Sequence, residues 1–496
     1  MTPDDNAAPL RFRRSFVNYG LSSLITFPVA LLTTFLVTPT LIRVMGLDDF
    51  GRFATYGVVF AVLGFGELGL PTAATRDTAV LVGRGELSGV YRLSRSYVLR
   101  ALRTGGLVSL AGYVGLGVVV LTSPLTGLHL VGRQIGDLLV TFAAPTLSLP
   151  SGVLFGIAAG LQKQHLARYV SSALSVAAIP ATLFVVQNFE AVRALLLLAL
   201  GTTGLSAVAL VLLLRHLLGE HWRAQDQPSV ATISVREGVS MSAPSLASFF
   251  DNQLDKALLA ATGQQALVGA FQLSTNLGNQ LRGYALYPLS PLLPALAALR
   301  GSGRDAAADD MQDRFLGLTL TLGSVGAGVL IARPASFTEL WLGSSSGAVG
   351  VVSSALPLAL LGIWLNMQTS GPYLQALSSG RVAQLARIGF GTAAVNGVIS
   401  VALVVPFGLT GVLVGTLVAN LYNLGSYHPW RSRGLHAQAA VLLVAALGTR
   451  LWGSYSSVLS LVLLLVALVV VGMIVSVSLQ SALRSWFVSS LRLARS

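Results

Sequence analysis

Arg193-Ala-Leu-Leu-Leu-Leu-Ala-Leu-Gly-Thr-Thr-Gly-Leu-Ser-Ala-Val-Ala-Leu-Val-Leu-Leu-Leu-Arg215 carries no ionisable side chain between its two arginines. A helix rises about 1.5 Å per residue, so crossing ~30 Å of hydrocarbon takes about 20 apolar residues, the length of this stretch. It is one rung of a ladder. Comparable stretches lie near 15–42, 53–73, 98–122, 138–160, 169–187, 194–218, 238–261, 266–296, 315–332, 349–376, 384–406, 409–427, 436–450 and 455–480, roughly fourteen spans in all. The chain has 496 residues, of which 53% are hydrophobic and 10% charged. A soluble globule cannot be covered with so little polar surface, so the solvent is the bilayer. The expected fold is an all-α polytopic membrane protein.

Orientation comes from the arginines. The connectors on the side of the N-terminus hold Arg11, Arg13, Arg14, Arg84, Arg92, Arg95, Arg103, Arg223, Arg304, Arg387, Arg431 and Arg492, among others. The opposite side holds only Arg43, Arg52, Arg133, Arg193, Arg333 and Arg450. The positive-inside rule then puts both termini in the cytoplasm of a multi-pass protein, with Arg484, Arg492 and Arg495 on a short amphipathic tail beside Trp486 and Phe487. The first apolar stretch is too long for a signal-peptide core and is kept as a span. The net charge of +13 follows from this bias. It finds its counterpart in anionic membrane lipids rather than in nucleic acid. Only Lys163 and Lys256 are lysines, an arginine preference that hints at a GC-rich bacterial genome and hence a bacterial cytoplasmic membrane.

Several chemistries are disfavoured. The chain has no cysteine, so thiolate and disulfide chemistry is absent. A phosphate-cradling loop needs Gly-Lys followed by Ser or Thr, but Lys163 follows Gln162 and Lys256 follows Asp255. The histidines, at 129, 165, 216, 221, 428 and 436, fall in or beside connectors, and His216 and His221 are five apart rather than four. The longest connectors, around 74–97, 219–236 and 297–314, are too short for a catalytic domain. Outer links such as 187–193 and 263–265 are shorter still, which disfavours a membrane glycosyltransferase. The chain is therefore expected not to be an enzyme, to hold no metal and to need no cofactor beyond a coupling H⁺ or Na⁺.

An internal echo divides the chain. Met45-Gly46-Leu-Asp-Asp-Phe-Gly51-Arg-Phe53 ends span 1, and Thr262-Gly263-Gln-Gln-Ala-Leu-Val-Gly269-Ala-Phe271 ends span 7. In both, a glycine closes one helix, a polar link follows and Gly-x-Phe opens the next. Pro71 with Arg76 and Pro294 with Arg300 repeat in the same way. The expected partition is a first six-helix bundle over 1–218, a cytoplasmic linker over 219–236 and a second six-helix bundle over 237–427. Two further helices and the tail occupy 428–496. The bundles would be related by a pseudo-twofold axis along the membrane normal.

Leu41-Ile-Arg-Val-Met-Gly-Leu-Asp-Asp-Phe-Gly-Arg-Phe53 and Glu67-Leu-Gly-Leu-Pro-Thr-Ala-Ala-Thr-Arg76 resemble the N-terminal signature of the polysaccharide flippases of the multidrug/oligosaccharidyl-lipid/polysaccharide (MOP) exporter superfamily. Asp255-Lys256, Gly269-Ala-Phe271, Leu340-Trp-Leu-Gly343 and Phe407-Gly-Leu-Thr-Gly-Val-Leu-Val-Gly415 resemble later landmarks in the same order. Two positions depart from the family's pattern: Glu67, where an apolar residue or aspartate is commoner, and the additional acid Asp251. The resemblance implies alternating access of two bundles that carry a polyprenyl-pyrophosphate-linked oligosaccharide to the outer leaflet. It also implies, as partners, membrane lipids, the lipid-linked substrate and polysaccharide polymerase or other assembly proteins. A cation-coupled multidrug or small-molecule antiporter of the same superfamily is the alternative, followed by a membrane-embedded glycosyltransferase or ligase.

The candidate site lies where polar groups enter spans. Glu67, Asp251, Asp255, Lys256 and Arg282 would each cost roughly 2.5–3.5 kcal/mol at the bilayer centre, so they are expected to face a cavity or one another. Ser242, Ser245, Ser248, Asn252 and Asp255 recur at helical spacing on span 7, as do Gln272, Asn276, Asn279 and Arg282 on span 8. Asn18, Ser22, Thr26 and Thr33 form a fainter stripe on span 1. With a pyrophosphate-bearing substrate, Arg282 offers a planar fork and Lys256 a point charge. Asn18, Asn252, Gln272, Asn276 and Asn279 would line the cavity. Asp251 and Asp255 lie four apart, and with Glu67 they are the candidates for a coupling ion, since paired acids raise one another's proton affinity. Structural interhelical hydrogen bonding, including an Asp255–Arg282 pair, competes with this reading. Pro28, Pro39, Pro71, Pro288, Pro291 and Pro294 are candidate hinges.

Overall fold

The computed structural model describes residues 32–63, 69–126, 132–222, 253–286, 296, 305–378, 381–427 and 433–448. Among them every regular element is helical, and seven helices are long and apolar enough to cross a membrane. The chain folds as two compact units. The first comprises Met1–Met45 and Arg52–Phe249; the second comprises Gly46–Gly51 and Phe250–Ser496.

In the first unit, a π-helical turn at Thr33–Val37 leads into α1 (Thr38–Leu63). Pro39 lacks an amide hydrogen and its ring crowds the carbonyl four residues back, so the ladder widens just before it. Pro71, expected to be a hinge, instead opens α2 (Leu70–Gly83). A proline in the first turn loses nothing, and the turn belongs to Gly69, whose φ of 69° is left-handed. Pro28, Pro288, Pro291 and Pro294 lie outside the described residues. The unit continues through α3 (Leu87–Thr126), α4 (Gly132–Ala143), α5 (Pro145–Gly160), α6 (Gln164–Asn188) and α7 (Ala191–Leu218).

The core of this unit forms where α5 approaches α2 backbone to backbone. A Cβ on Gly156 would lie 2.4 Å from the Pro71 carbonyl, and one on Gly160 would lie 2.6 Å from that of Thr75. Small residues permit this closeness between membrane helices, where dispersion and hydrogen bonding drive association. The Thr75 hydroxyl donates to the Gly156 carbonyl at 3.0 Å. Sequence placed 74–97 in a connector without a core of its own. The structure corrects this, because α2 and α3 run through it and Leu81, Val90, Leu93 and Tyr97 are fully buried. Hydropathy averaging loses such a stretch because Arg84, Arg92 and Arg95 interrupt it.

In the second unit, helix 253–261 is α8, followed by α9 (Gln265–Leu286), α10 (Asp305–Ala332), α11 (Pro334–Leu342), α12 (Val349–Gln368), α13 (Ser370–Ser378), α14 (Val382–Ser426) and α15 (Arg433–Leu447). The buried centre is α10, whose glycines admit neighbouring side chains. A Cβ on Gly323 would strike the Met367 methyl, and one on Gly326 would strike Leu281. The Trp364 indole donates to the Ser324 hydroxyl at 2.9 Å, satisfying both polar groups inside the core.

The two echoed links meet here. Gly46 and Gly263 both have φ of 76°. A Cβ on Gly51 would lie 1.8 Å from the Gln265 carbonyl oxygen, and one on Gly269 would lie 2.6 Å from that of Leu47. The contact is reciprocal: each glycine admits the other link's backbone.

Candidate functional site

A bend in α14 builds the site. Pro406 cannot donate to the helix ladder, and Gly408 (φ 52°, ψ −127°) leaves helical geometry altogether, so the chain folds back on itself. A Cβ on Gly411 would lie 2.2 Å from the Leu403 carbonyl oxygen, and one on Gly415 the same distance from the Ser400 hydroxyl. These glycines, from the Phe407–Gly415 landmark, let the two arms of α14 close together. The closure brings Asn396 and Ser400 on the first arm opposite Val412 and Thr416 on the second.

Asp255 of α8 fills the space between the arms and is 1% exposed. Its carboxylate accepts both 3.2 Å contacts of the Asn396 amide, one at 3.1 Å from the Ser400 hydroxyl and one at 2.6 Å from the Thr416 hydroxyl. Ser400 also contacts the Asn396 carbonyl oxygen at 3.1 Å and the Val412 carbonyl at 3.4 Å. One turn further along, Asn420 donates to the Thr416 carbonyl and accepts from Asn366 of α12, each at 2.9 Å. A buried carboxylate is thus met by a shell of neutral oxygen-bearing groups.

That donor set has a chemical preference. Carboxylate, amide, hydroxyl and carbonyl oxygens suit hard cations, and one carboxylate among neutral ligands balances a single positive charge. Hydroxyls and the amide can rotate from donating to the carboxylate to presenting oxygen to an ion. Among the described residues, no group of three or more His, Asp or Glu side chains gathers in a metal-binding arrangement. One carboxylate among neutral oxygen-bearing groups is the kind of donor set that suits a monovalent cation or a proton.

The other expected site residues distribute as follows. Lys256, next along α8, leaves the helix about 100° around from Asp255 and is half-buried. Gln272, Asn276, Asn279 and Arg282 share one face of α9. Asn276 and Asn279 are exposed, Gln272 and Arg282 half-buried, and the Gln272 amide donates to Asn276 at 2.5 Å. The opposite face, with Phe271, Ser274, Leu277 and Ala285, is buried. Asn18, Glu67, Asp251 and Asn252 lie outside the described residues. Sequence reading missed Asn396, Ser400 and Thr416, although Thr392, Asn396 and Ser400 recur every fourth residue on span 384–406.

It also missed two buried carboxylates in the first unit. Asp137 of α4 is 2% exposed and accepts from the Arg193 guanidinium at 3.1 Å, while the Tyr56 hydroxyl is hydrogen-bonded to it. Arg193 donates also to the Arg133 carbonyl at 2.9 Å, and Glu190 pairs with Arg133 and Arg193. Asp77 accepts at 2.9 Å from Arg76 and at 2.6 Å from the Tyr97 hydroxyl. Both acids stand just outside the apolar windows, where connector aspartates are ordinarily solvated.

No protein-family model matches the chain, and no curated protein matches it. Solved structures do. The lipid II flippase MurJ in an inward closed conformation superposes with a TM-score of 0.66 at 12% identity, over 92% of this chain and 99% of that one. The chain therefore shares the fold of that flippase. An inward-facing multidrug-resistance MATE transporter of the MOP superfamily gives 0.61 at 14% identity, over 84% and 99%. An outward-facing one gives 0.57 at 15%, over 88% and 96%. At these identities the likeness carries the architecture and not the substrate.

Proposed function

We propose that the chain is a flippase that moves a polyprenyl-pyrophosphate-linked oligosaccharide from the cytoplasmic to the outer leaflet of a bacterial cytoplasmic membrane. It works by alternating access, coupled to a monovalent cation or proton exchanged at Asp255. The observation that carries the reading is the Asp255 centre, a carboxylate held by Asn396, Ser400 and Thr416 inside a span. An ionisable group placed so deeply is costly as scaffold, and such residues characteristically mark ion pathways. Both termini lie in the cytoplasm on the arginine distribution, and polymerase or assembly proteins would take up the product.

Arg282 and Lys256 provide positive charge for the pyrophosphate, and the amides of Gln272, Asn276 and Asn279 provide hydrogen bonds for the sugar. A lipid II flippase shares this architecture, so the fold accommodates a lipid-linked substrate. Likeness to MATE transporters supports the competing reading, a cation-coupled multidrug antiporter; cationic residues on the α8 and α9 spans favour an anionic substrate instead. The test is reconstitution in liposomes with a fluorescent lipid-linked oligosaccharide, scoring access to an outer quencher. Wild type is expected to flip the probe and Arg282→Ala to insert normally but not flip it. Equal loss of insertion and transport would assign Arg282 to a structural ion pair, and absence of flipping by wild type would remove the proposed substrate class.

A further inference from the structure

A cavity of about 780 Å³ opens in the second unit on the face that carries the 262–264 link. Its exposed lining includes Thr262, Gln264, Ser354 and Thr410, each bearing side-chain oxygen, beside the apolar Ala261, Val405 and Phe407. Its floor holds Leu258, Val404 and Leu409, the last two only 7% exposed. The register of the floor is informative. Leu258 lies three residues from Asp255, Val404 four from Ser400, and Leu409 three from Val412. Each is about one helical turn, or roughly 5 Å, beyond its partner on the same helix face. One apolar layer therefore separates the cavity from the carboxylate centre on all three strands of chain that build it.

The volume would hold on the order of 20 waters, so an ion can reach the floor with its hydration shell intact. Past the floor, the Asp255 carboxylate and the oxygens of Asn396, Ser400, Val412 and Thr416 are positioned to replace that shell. A short apolar constriction passes ions only when it widens and wets. We propose that this cavity is the outer vestibule through which a small monovalent cation reaches Asp255, with Leu258, Val404 and Leu409 as its apolar gate. The inference rests on the reading of Asp255 as the coupling centre and adds the side of entry and the gating residues.

The absence of native cysteine makes the test direct. Single cysteines are placed at Thr410 in the exposed lining, at Leu258 on the floor and at Ala327, which is buried in α10 as a control. Intact cells are then treated with a membrane-impermeant trimethylammonium thiosulfonate. The expected order of labelling is Thr410→Cys fastest, Leu258→Cys slower and Ala327→Cys at background, with Val404→Ala accelerating Leu258→Cys about tenfold. Labelling of Leu258→Cys at the Ala327→Cys rate, or only from the cytoplasmic side, overturns the route.

A second arm adds bulk after folding, so misfolding does not enter. Thr410→Cys protein is blocked with a bulky neutral thiol reagent in proteoliposomes, and the response of flipping to an imposed Na⁺ or pH gradient is timed. A slowing of tenfold or more supports the vestibule, and an unchanged rate overturns it. The two readings separate cleanly. A wild-type gradient response that blocking leaves untouched sinks the route and keeps the coupling centre. Outside labelling of the gate without any wild-type gradient response sinks the coupling centre, and with it the vestibule's assigned role.

Discussion

Asp255 in the second unit and Asp137 in the first are equally buried, yet they are compensated in opposite ways. Asp137 accepts from the Arg193 guanidinium, so its charge is matched by a permanent cation of the protein, with Arg133 and Glu190 extending the pairing. Asp255 takes hydrogen bonds from neutral Asn396, Ser400 and Thr416. A guanidinium never deprotonates and cannot diffuse away, so Asp137 is a fixed brace across α4 and α7. The Asn396 amide nitrogen and the Ser400 and Thr416 hydroxyls orient the Asp255 carboxylate by neutral hydrogen bonds, and the adjacent Lys256 interacts with it electrostatically. Burial alone therefore does not separate the two carboxylates; the kind of hydrogen-bond donor does.

The two carboxylates should therefore respond differently to the same substitution. Asp255→Asn keeps the shape and removes the charge, so ion-dependent flipping should fall to background while protein yield is unchanged and stability stays within about 1 kcal/mol of wild type. Asp137→Asn weakens a charged hydrogen bond and leaves Arg193 undercompensated, at a cost of about 2 kcal/mol, read as a lower melting temperature in detergent with gradient dependence intact. Reversal of this pattern, with Asp255→Asn unstable and Asp137→Asn uncoupled, would break the comparison.

Glycine substitutions sharpen it. Gly51→Ala sets a Cβ against backbone at Gln265, which cannot yield as a side chain would, so a loss of about 3 kcal/mol and poor expression are expected. Gly415→Ala meets the Ser400 hydroxyl first, at 2.2 Å, then the Ser400 backbone nitrogen at 3.0 Å and the Asn396 side-chain oxygen at 3.2 Å. Its main effect should fall on the apparent affinity for the coupling ion, measured as the Na⁺ or proton concentration at half-maximal flipping. The smallest effect is expected at Asn276→Ala on the exposed face of α9. Loss of one hydrogen bond of about 1 kcal/mol lowers flipping roughly fivefold without touching gradient dependence.

Much of this was readable in the chain. The apolar ladder gave the helical membrane fold, and the Gly46 and Gly263 echo marked two left-handed turns that share φ of 76°. Asp255 stood out because a charge inside a span is expensive. Its shell did not, because Asn396, Ser400 and Thr416 are small polar residues that spans tolerate singly. They converge only through the bend at Gly408, across 141 to 161 residues of sequence from Asp255. Asp77 and Asp137 escaped for the converse reason: an aspartate at the edge of an apolar window reads as solvated until Tyr97 or Arg193 is seen to cover it. The Gln272–Arg282 stripe was legible because it is local to one helix.

The most direct test of the account is flipping of a fluorescent lipid-linked oligosaccharide in proteoliposomes under an imposed Na⁺ or pH gradient, for wild type and Asp255→Asn side by side. Wild-type flipping should accelerate with one of the two gradients, and Asp255→Asn should bind the probe equally well while ignoring both. Wild-type flipping indifferent to both gradients, or an Asp255→Asn protein that still responds, would contradict the assignment of Asp255 as the coupling centre.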